Sequence, residues 1–375
     1  MAGIAFIRSD DPTALDAETG ALWLRAPGHV FPLSGATQAF LPILEILRAH
    51  GKPSPRIWFP DYFCEGALHH LRARGIALEF YPITETLEPD WAQCIRLAAT
   101  APPDLFVLTH YFGTANAADA ARQFCDAKGC LLLEDAVHVL LPVGRIGTKG
   151  DFVTYSPRKF LGLPDGALLL VHGESLAHTA REAVRTLPPH RPATLAWSIA
   201  ALRPPRRVEN GPMRPIDMDH EYPNPVAPSA IWMSRLAKAL IGKKHRNGDI
   251  HALVRREGHD RVAIETALAG WHGLTPLPTE PGAVPYLFAL RGTDPAAVAT
   301  ALAELRRAGA MAAPWPALPP EIRANPETHR VALHVRRTLL RFYPRPSGRR
   351  RPTAFLDALP LGADAARGPV DHLAS

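Results

Sequence analysis

The sequence predicts an α/β fold with a mainly parallel sheet flanked by helices, followed by a smaller C-terminal α+β domain. Short apolar runs recur in the first half of the chain, and glycines or prolines bound several of them, which is typical of buried parallel strands. Helical patterns alternate with these runs across short connections, as in repeated strand–helix crossovers. The 375 residues, 47% of them apolar, suffice for a large core.

The elements follow in order along the chain. Residues 1–30 show no clear pattern, and the turn Ser34-Gly35-Ala36-Thr37 then opens an apolar helical pattern. Small and hydroxyl residues at such a position could cap the helix or leave backbone amides free for a phosphate. The predicted strands cover residues 56–59, 77–81, 105–109, 131–133, 152–155 and 167–171, with helices over 91–99 and 117–128.

The second half of the chain has a different character. Residues 187–228 contain ten prolines and several arginines, and so long an irregular connection is usually functional. The later predicted elements are a helix over 229–256, a strand over 285–288, a helix over 295–308 and a helix from Thr328. We therefore predict a large domain over residues 1–228 that includes the loop 187–228, a small α+β domain over 229–345, and a flexible tail over 346–375.

Asp135 and Lys159 are the first candidate site residues. Each lies just past an apolar run, where open α/β sheets place their chemistry. An enzyme that uses pyridoxal 5'-phosphate (PLP) needs such a pair, because the lysine forms a Schiff base with the aldehyde and the carboxylate keeps the pyridine nitrogen protonated. The alternative, commoner for any single residue, is a helix-capping aspartate and a solvated loop lysine.

Further motifs accompany this pair in a fixed order. They are Ser34-Gly35-Ala36-Thr37, His110-Tyr111-Phe112-Gly113, Glu134-Asp135-Ala136-Val137-His138, Gly150-Asp151-Phe152-Val153-Thr154, Ser156-Pro157-Arg158-Lys159-Phe160-Leu161-Gly162 and Asp165-Gly166. In order and spacing they resemble the signature of the DegT/DnrJ/EryC1/StrS sugar aminotransferases, over most of residues 30–345. The resemblance implies the PLP-dependent transferase fold type I.

The resemblance also implies roles for individual residues. Lys159 would be the catalytic lysine that carries the cofactor, and Asp135 would contact its ring nitrogen. His138 stands where the family usually has glutamine and could contact the ring oxygen. The phosphate would be bound by the turn Gly35-Ala36-Thr37 and by Thr154, and the aromatic stacked on the ring could be either Tyr62 or Phe63. Cys64 stands where many members carry that aromatic residue.

The implied function is a PLP-dependent aminotransferase that moves an amino group from glutamate to a keto sugar carried on a nucleotide. Its partners would be these small molecules and a second copy of the chain in a homodimer. Another PLP-dependent reaction, such as that of a lyase, decarboxylase or condensing enzyme on a small amino-acid substrate, stays open, as does a non-catalytic ligand-binding descendant. The Ser156-x-x-Lys159 spacing also occurs in serine hydrolases with a lysine base, but their further motifs are missing.

Composition excludes several other classes. A net charge of +6 and a pI near 9.3 suit an anionic partner such as a nucleotide diphosphate, but no nucleic-acid-binding module accompanies the charge. We interpret the arginines after residue 335 as a solvated face or tail. The four cysteines lack the spacing of a disulfide framework or zinc site, and we predict no metal site. No apolar stretch approaches a membrane span and no signal-peptide pattern is found, so we expect a cytoplasmic protein.

Overall fold

The computed structural model describes residues 14–187, 230–343 and 353–361. A seven-stranded sheet forms the centre of the larger part. Its strands are β1 (Gly28–Leu33), β2 (Arg56–Pro60), β3 (Ala77–Tyr81), β4 (Leu105–Thr109), β5 (Leu131–Asp135), β6 (Phe152–Tyr155) and β7 (Ala167–His172). Every residue of β4 and β6 is buried, as expected for strands covered by helices on both faces.

The order across this sheet is β1-β7-β6-β5-β4-β2-β3. The pairings from β3 to β6 are parallel, whereas β7 is antiparallel to both of its neighbours. The carboxyl ends of β2, β4, β5 and β6 therefore meet at one edge of the sheet. The mainly parallel sheet predicted from the apolar runs is confirmed, and its carboxyl edge is where the candidate residues converge.

Helices connect and cover these strands. In chain order they are α1 (Ala17–Ala21), α2 (Phe40–Ala49), α3 (His69–Arg72), α4 (Trp91–Leu97), α5 (Ala118–Lys128), α6 (Arg158–Leu161) and α7 (Glu174–Ala183). Seven of the ten residues of α2 are buried, and six of these belong to the main core. Helix α5 ends at Gly129, whose φ of 65° lies in the left-handed region that glycine adopts at low cost.

A smaller α+β unit follows, as predicted. Its four-stranded antiparallel sheet has the order β10-β11-β9-β8. The strands are β8 (Thr275–Pro276), β9 (Phe288–Arg291), β10 (Met311–Pro314) and β11 (Leu339–Tyr343), and the helices from residue 230 onward are α8 (Arg235–Arg246), α9 (Asp249–Leu268), α10 (Pro295–Arg307), α11 (Pro320–Ala324) and α12 (Arg330–Thr338). Leu302 and Leu305 of α10 pack against Leu340 and Phe342 of β11 in a core of their own.

Three local features differ from what the sequence analysis described. The helix predicted over residues 229–256 is two helices, because the chain turns at Gly248, whose φ is 74°. The helix predicted from Thr328 ends at Thr338, and the chain continues directly as β11. Residues 17–33 contain α1 and β1 although no pattern predicted them. The strand β1 is an edge strand that depends on its pairing with β7.

The C-terminal segment around residues 315–329 packs against the larger sheet. Trp315 belongs to the main core, His329 Nδ1 lies 2.9 Å from Asp61 Oδ2, and Arg72 forms an ion pair with Glu321 at 2.7 Å. These contacts join the two parts next to the carboxyl edge of β2. The division at residue 228 stays a prediction, and the predicted loop lies outside the described residues beyond Leu187. Within the predicted tail, Phe355 is buried against Phe342, 5.7 Å between ring centroids.

Candidate active site

Asp135 ends β5 at the carboxyl edge of the sheet. It lies between Thr109 of β4 and Thr154 of β6 in the parallel register. Its Oδ1 accepts hydrogen bonds from the backbone N–H of Val137 at 3.2 Å and from the Thr154 hydroxyl at 3.5 Å. Burial raises the pKa of Asp135, and the nearby positive charge of Lys159 opposes the shift. The carboxyl group of Asp135 is therefore held in place close to Lys159.

Lys159 lies on α6, directly after β6. Its backbone N–H donates to Ser156 O at 3.0 Å, and its Nζ lies 5.1 Å from the ring centroid of Tyr286. Burial lowers the pKa of Lys159 to about 7, against the opposing effect of Asp135. A large fraction of this amine is therefore neutral near pH 7, as a nucleophile or base requires.

His138 faces the same site in one defined tautomer. Its Nδ1 accepts a hydrogen bond from the backbone N–H of Phe112 at 3.3 Å, so the ring hydrogen resides on Nε2. Burial lowers the pKa of His138 well below its ordinary value, and Lys159 adds to the effect. The imidazole is therefore neutral and offers one N–H donor to a ligand oxygen.

The turn at Ser34 is connected to the lysine helix by backbone hydrogen bonds. Gly166 N–H donates to Ser34 O at 2.9 Å, and Arg158 N–H donates to Gly166 O at 3.3 Å. The following residues Ala36–Ala39 form one 3-10 turn that leads into α2. A Cβ added at Gly35 would meet only the Gln38 side chain, at 4.0 Å. The structure thus brings Gly35, Ala36 and Thr37 near α6 and leaves space on the Gly35 side.

Tyr62 and Phe63 point to different surroundings. Tyr62 is stacked on Trp315 with 4.9 Å between ring centroids, and Trp315 in turn meets His138 edge to face at 5.9 Å. Phe63 packs on Phe59 within the core, at 4.9 Å. Tyr62 therefore belongs to the aromatic cluster that reaches the candidate site, whereas no described contact links Phe63 to it. Which of them contacts a cofactor stays a prediction.

The sequence analysis did not predict the residues that line the site on the side opposite the large sheet. A cleft of about 50 Å³ beside the lysine is lined by Lys159, Phe160, Glu257, Pro285, Tyr286, Phe288 and Tyr343. Most of these residues come from the smaller unit. The signal available was the alternation in Leu339–Tyr343, which the sequence analysis did not assign to a strand. The arginines interpreted as solvated include Arg336, which is 5% exposed and donates to Trp315 O at 2.7 Å, so that interpretation was wrong for Arg336.

His110 and Glu134 form a second buried pair next to the site. His110 Nδ1 accepts from the Asn116 N–H at 3.0 Å, so Nε2 carries the hydrogen and donates to Glu134 Oε2 at 2.7 Å. Glu134 also accepts the backbone N–H groups of residues 147, 149 and 150 at 2.6–2.8 Å. Burial tends to raise the pKa of Glu134, but these hydrogen bonds outweigh it and lower the pKa. Asp135 is thus preceded by a fully paired carboxylate.

The residues present fit PLP. Tyr62 Oη, Ser156 Oγ and Trp315 Nε1 are buried and have no hydrogen-bond partner in the described part of the chain, and buried polar atoms normally have one. A polar ligand among them would satisfy these atoms. Asp135 and Lys159 supply the acid and the amine that the cofactor requires.

Comparisons with known proteins identify the fold. No protein-family model matches the chain. The dTDP-4-dehydro-2,3,6-trideoxy-D-glucose 4-aminotransferase of Saccharopolyspora spinosa is 29% identical over 161 residues, which span 41% of this chain and 41% of that relative. Two solved structures cover nearly the whole chain. Spr1654 of Streptococcus pneumoniae, assigned as a sugar aminotransferase and solved in its PMP form, matches with a TM-score of 0.66 at 15% identity, covering 94% of this chain and 93% of its own. A DegT DnrJ EryC1 StrS aminotransferase of Brucella abortus matches with a TM-score of 0.59 at 13% identity, covering 88% of this chain and 84% of its own.

The chain has the fold of the DegT/DnrJ/EryC1/StrS aminotransferases. The resemblance seen in the motifs of the sequence is confirmed, and with it the predicted fold class. In this aminotransferase fold, Asp135, Thr154 and Lys159 lie together at the carboxyl edge of the sheet. Their individual roles toward a cofactor stay predictions. No helix in the described ranges is long and apolar enough to cross a membrane.

Proposed function

We propose that this protein is a PLP-dependent aminotransferase that transfers an amino group from glutamate to a keto sugar carried on a nucleotide. The observation that carries the proposal is the placement of Lys159, with a pKa lowered to about 7, beside the carboxylate of Asp135 at the carboxyl edge of the sheet. The partial match to an enzyme named as a dTDP-sugar 4-aminotransferase supports the sugar acceptor. A homodimer and a cytoplasmic location stay predictions.

Each residue has a task that its surroundings allow. Lys159 would hold the cofactor and, once displaced by the donor, would hold and return the proton of the substrate carbon at its Nζ. Asp135 would stabilise a protonated ring nitrogen. His138 would donate from Nε2 to a ring oxygen, since its Nδ1 is already occupied by Phe112 N–H. Hydroxyl groups at Thr37, Thr154 and Ser156 would bind the phosphate.

The cofactor would supply an aldehyde and an electron-withdrawing ring, and the residues around it determine which proton moves. The aromatic cluster of Tyr62, Phe112 and Trp315 is buried and would exclude water from that proton. Because the lysine is half neutral near pH 7, it could accept a proton without an additional base. The lowered pKa of Lys159 and the buried aromatic cluster together favour a reaction in which the Lys159 amine moves a proton between the substrate carbon and a carbon of the cofactor.

The experiment is a half-reaction. Purified protein mixed with glutamate should lose the absorbance of the aldehyde form of the cofactor, gain that of the amine form, and release 2-oxoglutarate. Addition of a dTDP-linked 4-keto sugar should reverse the spectrum. A coloured protein that reacts with no amino acid would indicate another PLP-dependent reaction, and a protein that binds no PLP would indicate a non-catalytic descendant. The Lys159→Ala variant is the control.

A further inference from the structure

Tyr286 contacts the reacting lysine, yet the proposed mechanism gives this tyrosine no task. Lys159 Nζ lies over the Tyr286 ring, 5.1 Å from its centroid. An ammonium group is attracted to the face of an aromatic ring within about 6 Å of the centroid. No hydrogen bond or ion pair joins this nitrogen to another residue in the described ranges. The ring is therefore the direct contact that the structure shows for the reacting nitrogen.

Contacts on several sides fix the Tyr286 ring. Its backbone N–H donates to His138 O at 2.9 Å, which ties this tyrosine to the larger part of the chain. The rings of Phe160 and Tyr343 pack against it in T-shaped arrangements, with 5.6 and 4.8 Å between centroids. These contacts hold the ring in one orientation, so its face toward Lys159 is set before any ligand binds.

Titratable groups from several elements surround Lys159. Burial has the largest effect and lowers the pKa of Lys159, and Asp135 of β5 opposes it. The other titratable groups around this amine are the Cys64 thiol, His138, Arg158 of α6, Glu257 of α9, and Arg341 and Tyr343 of β11. All of them remain when residue 286 alone is replaced, so a change in the titration of the amine then reports the ring.

We propose that Tyr286 is a positioning residue, whose ring face binds the ammonium form of Lys159 while this nitrogen carries the proton taken from the substrate carbon. The inference rests on the proposed function and adds to it the place where that proton is held. A carboxylate in hydrogen-bond contact would compete for the proton, whereas an aromatic face stabilises the charge and offers no atom that accepts it. The proton therefore stays on Nζ until it is returned.

The first test measures the pH midpoint of acetylation of Lys159 in the full-length protein without cofactor. Tyr286→Leu keeps an apolar group in the cleft but removes the aromatic face, so the midpoint should fall by about 0.4 to 1.5 pH units. Tyr286→Phe should keep the wild-type midpoint, because the ring remains. Phe288→Leu is the matched control, since Phe288 lines the same cleft but stacks on Phe342, with 5.5 Å between centroids. Its midpoint should not move.

A second pair of variants keeps the shape of the ring and covers the case in which Tyr286→Leu does not fold. Phenylalanine and a polyfluorinated phenylalanine are introduced at residue 286 by nonsense suppression. Fluorine withdraws electrons from the ring face and weakens its attraction for a cation, so the midpoint of the fluorinated protein should lie below that of Tyr286→Phe. Equal midpoints in these two proteins would overturn the proposal, as would equal shifts in Tyr286→Leu and Phe288→Leu.

The glutamate half-reaction of the cofactor-loaded protein separates the inference from the proposed function. Tyr286→Leu should lower kcat about 2- to 30-fold at unchanged KM, and Tyr286→Phe should restore it. A change confined to KM would overturn the proposal. If no amino acid yields the amine form but the midpoint shifts as expected, the proposed function fails while the contact between Lys159 and Tyr286 stands. A normal half-reaction with an unmoved midpoint in Tyr286→Leu would overturn the inference and leave the proposed function intact.

Discussion

The lowered pKa of Lys159 predicts an unusually reactive lysine in the protein freed of cofactor. With a pKa of about 7, about half of this amine is neutral at pH 7. An ordinary lysine with a pKa near 10.4 is neutral in only roughly one molecule of 2500 at that pH. The neutral fraction of Lys159 should therefore exceed that of an ordinary lysine by about a thousandfold.

Competitive acetylation with isotopically labelled acetic anhydride measures this difference. The rate at each lysine is followed between pH 5 and 11 by peptide mass spectrometry, and the midpoint of each curve gives the pKa. Lys149 is the internal control, since its hydrogen bond and ion pair with Asp119 raise the pKa of this exposed amine. Lys159 should show a midpoint near 7, and Lys149 should lie above an ordinary lysine.

Two substitutions test the direction in which each neighbouring charge shifts the pKa of Lys159. Asp135 raises the pKa of Lys159 and Arg341 lowers it, so Asp135→Asn should move the midpoint down and Arg341→Gln should move it up. A Lys159 midpoint that coincides with that of Lys149 would refute the reasoning. Shifts of the same sign in both variants would refute the assignment of the two neighbours.

Three further predictions concern the site and its support. Asp135→Asn should reduce the glutamate half-reaction about 10²- to 10⁴-fold, and unchanged stopped-flow rates would contradict the assigned role. His110→Ala should cost about 1.5–3 kcal/mol in urea unfolding, because it removes one hydrogen bond to the buried Glu134 carboxylate, which keeps its three backbone N–H donors. The pKa of Glu134 lies below its ordinary value in the folded state. The ionised carboxylate therefore stabilises the folded protein above pH 4.5, and this stabilisation is lost as the pH falls through the folded-state pKa. The same pH dependence of the unfolding free energy should be absent in Glu134→Gln. Ser156→Ala should leave unfolding of the cofactor-free protein unchanged or improved, since its hydroxyl has no described partner, yet weaken PLP binding about tenfold.

Local sequence patterns were sufficient to predict the strands of the larger sheet. Runs such as residues 152–155 and 167–171 are mainly apolar and lie close to glycine or proline, so burial on both faces is their consistent outcome. The rule that sites lie past carboxyl strand ends then brought Asp135 and Lys159 together. Parallel pairing of β5 and β6 puts Asp135 opposite Thr154, as that rule requires.

The smaller unit depends on contacts that a linear pattern does not contain. Residues 328–343 carry arginines at intervals that suit an exposed helix, yet Arg336 is buried and Arg341 lies on a strand paired with β9 and β10. The chain changes from helix to strand at Leu339 without a glycine or proline to mark the change. Trp315 likewise reads as an ordinary core residue, and its contact with Tyr62 follows only from tertiary packing.

The central claim is that Lys159 carries the cofactor. Protein loaded with PLP, reduced with borohydride and digested should yield a single pyridoxyl-labelled peptide, with the label on Lys159, and Lys159→Ala should yield none. A label on any other lysine, or the same labelled peptide map in the variant, would contradict the account.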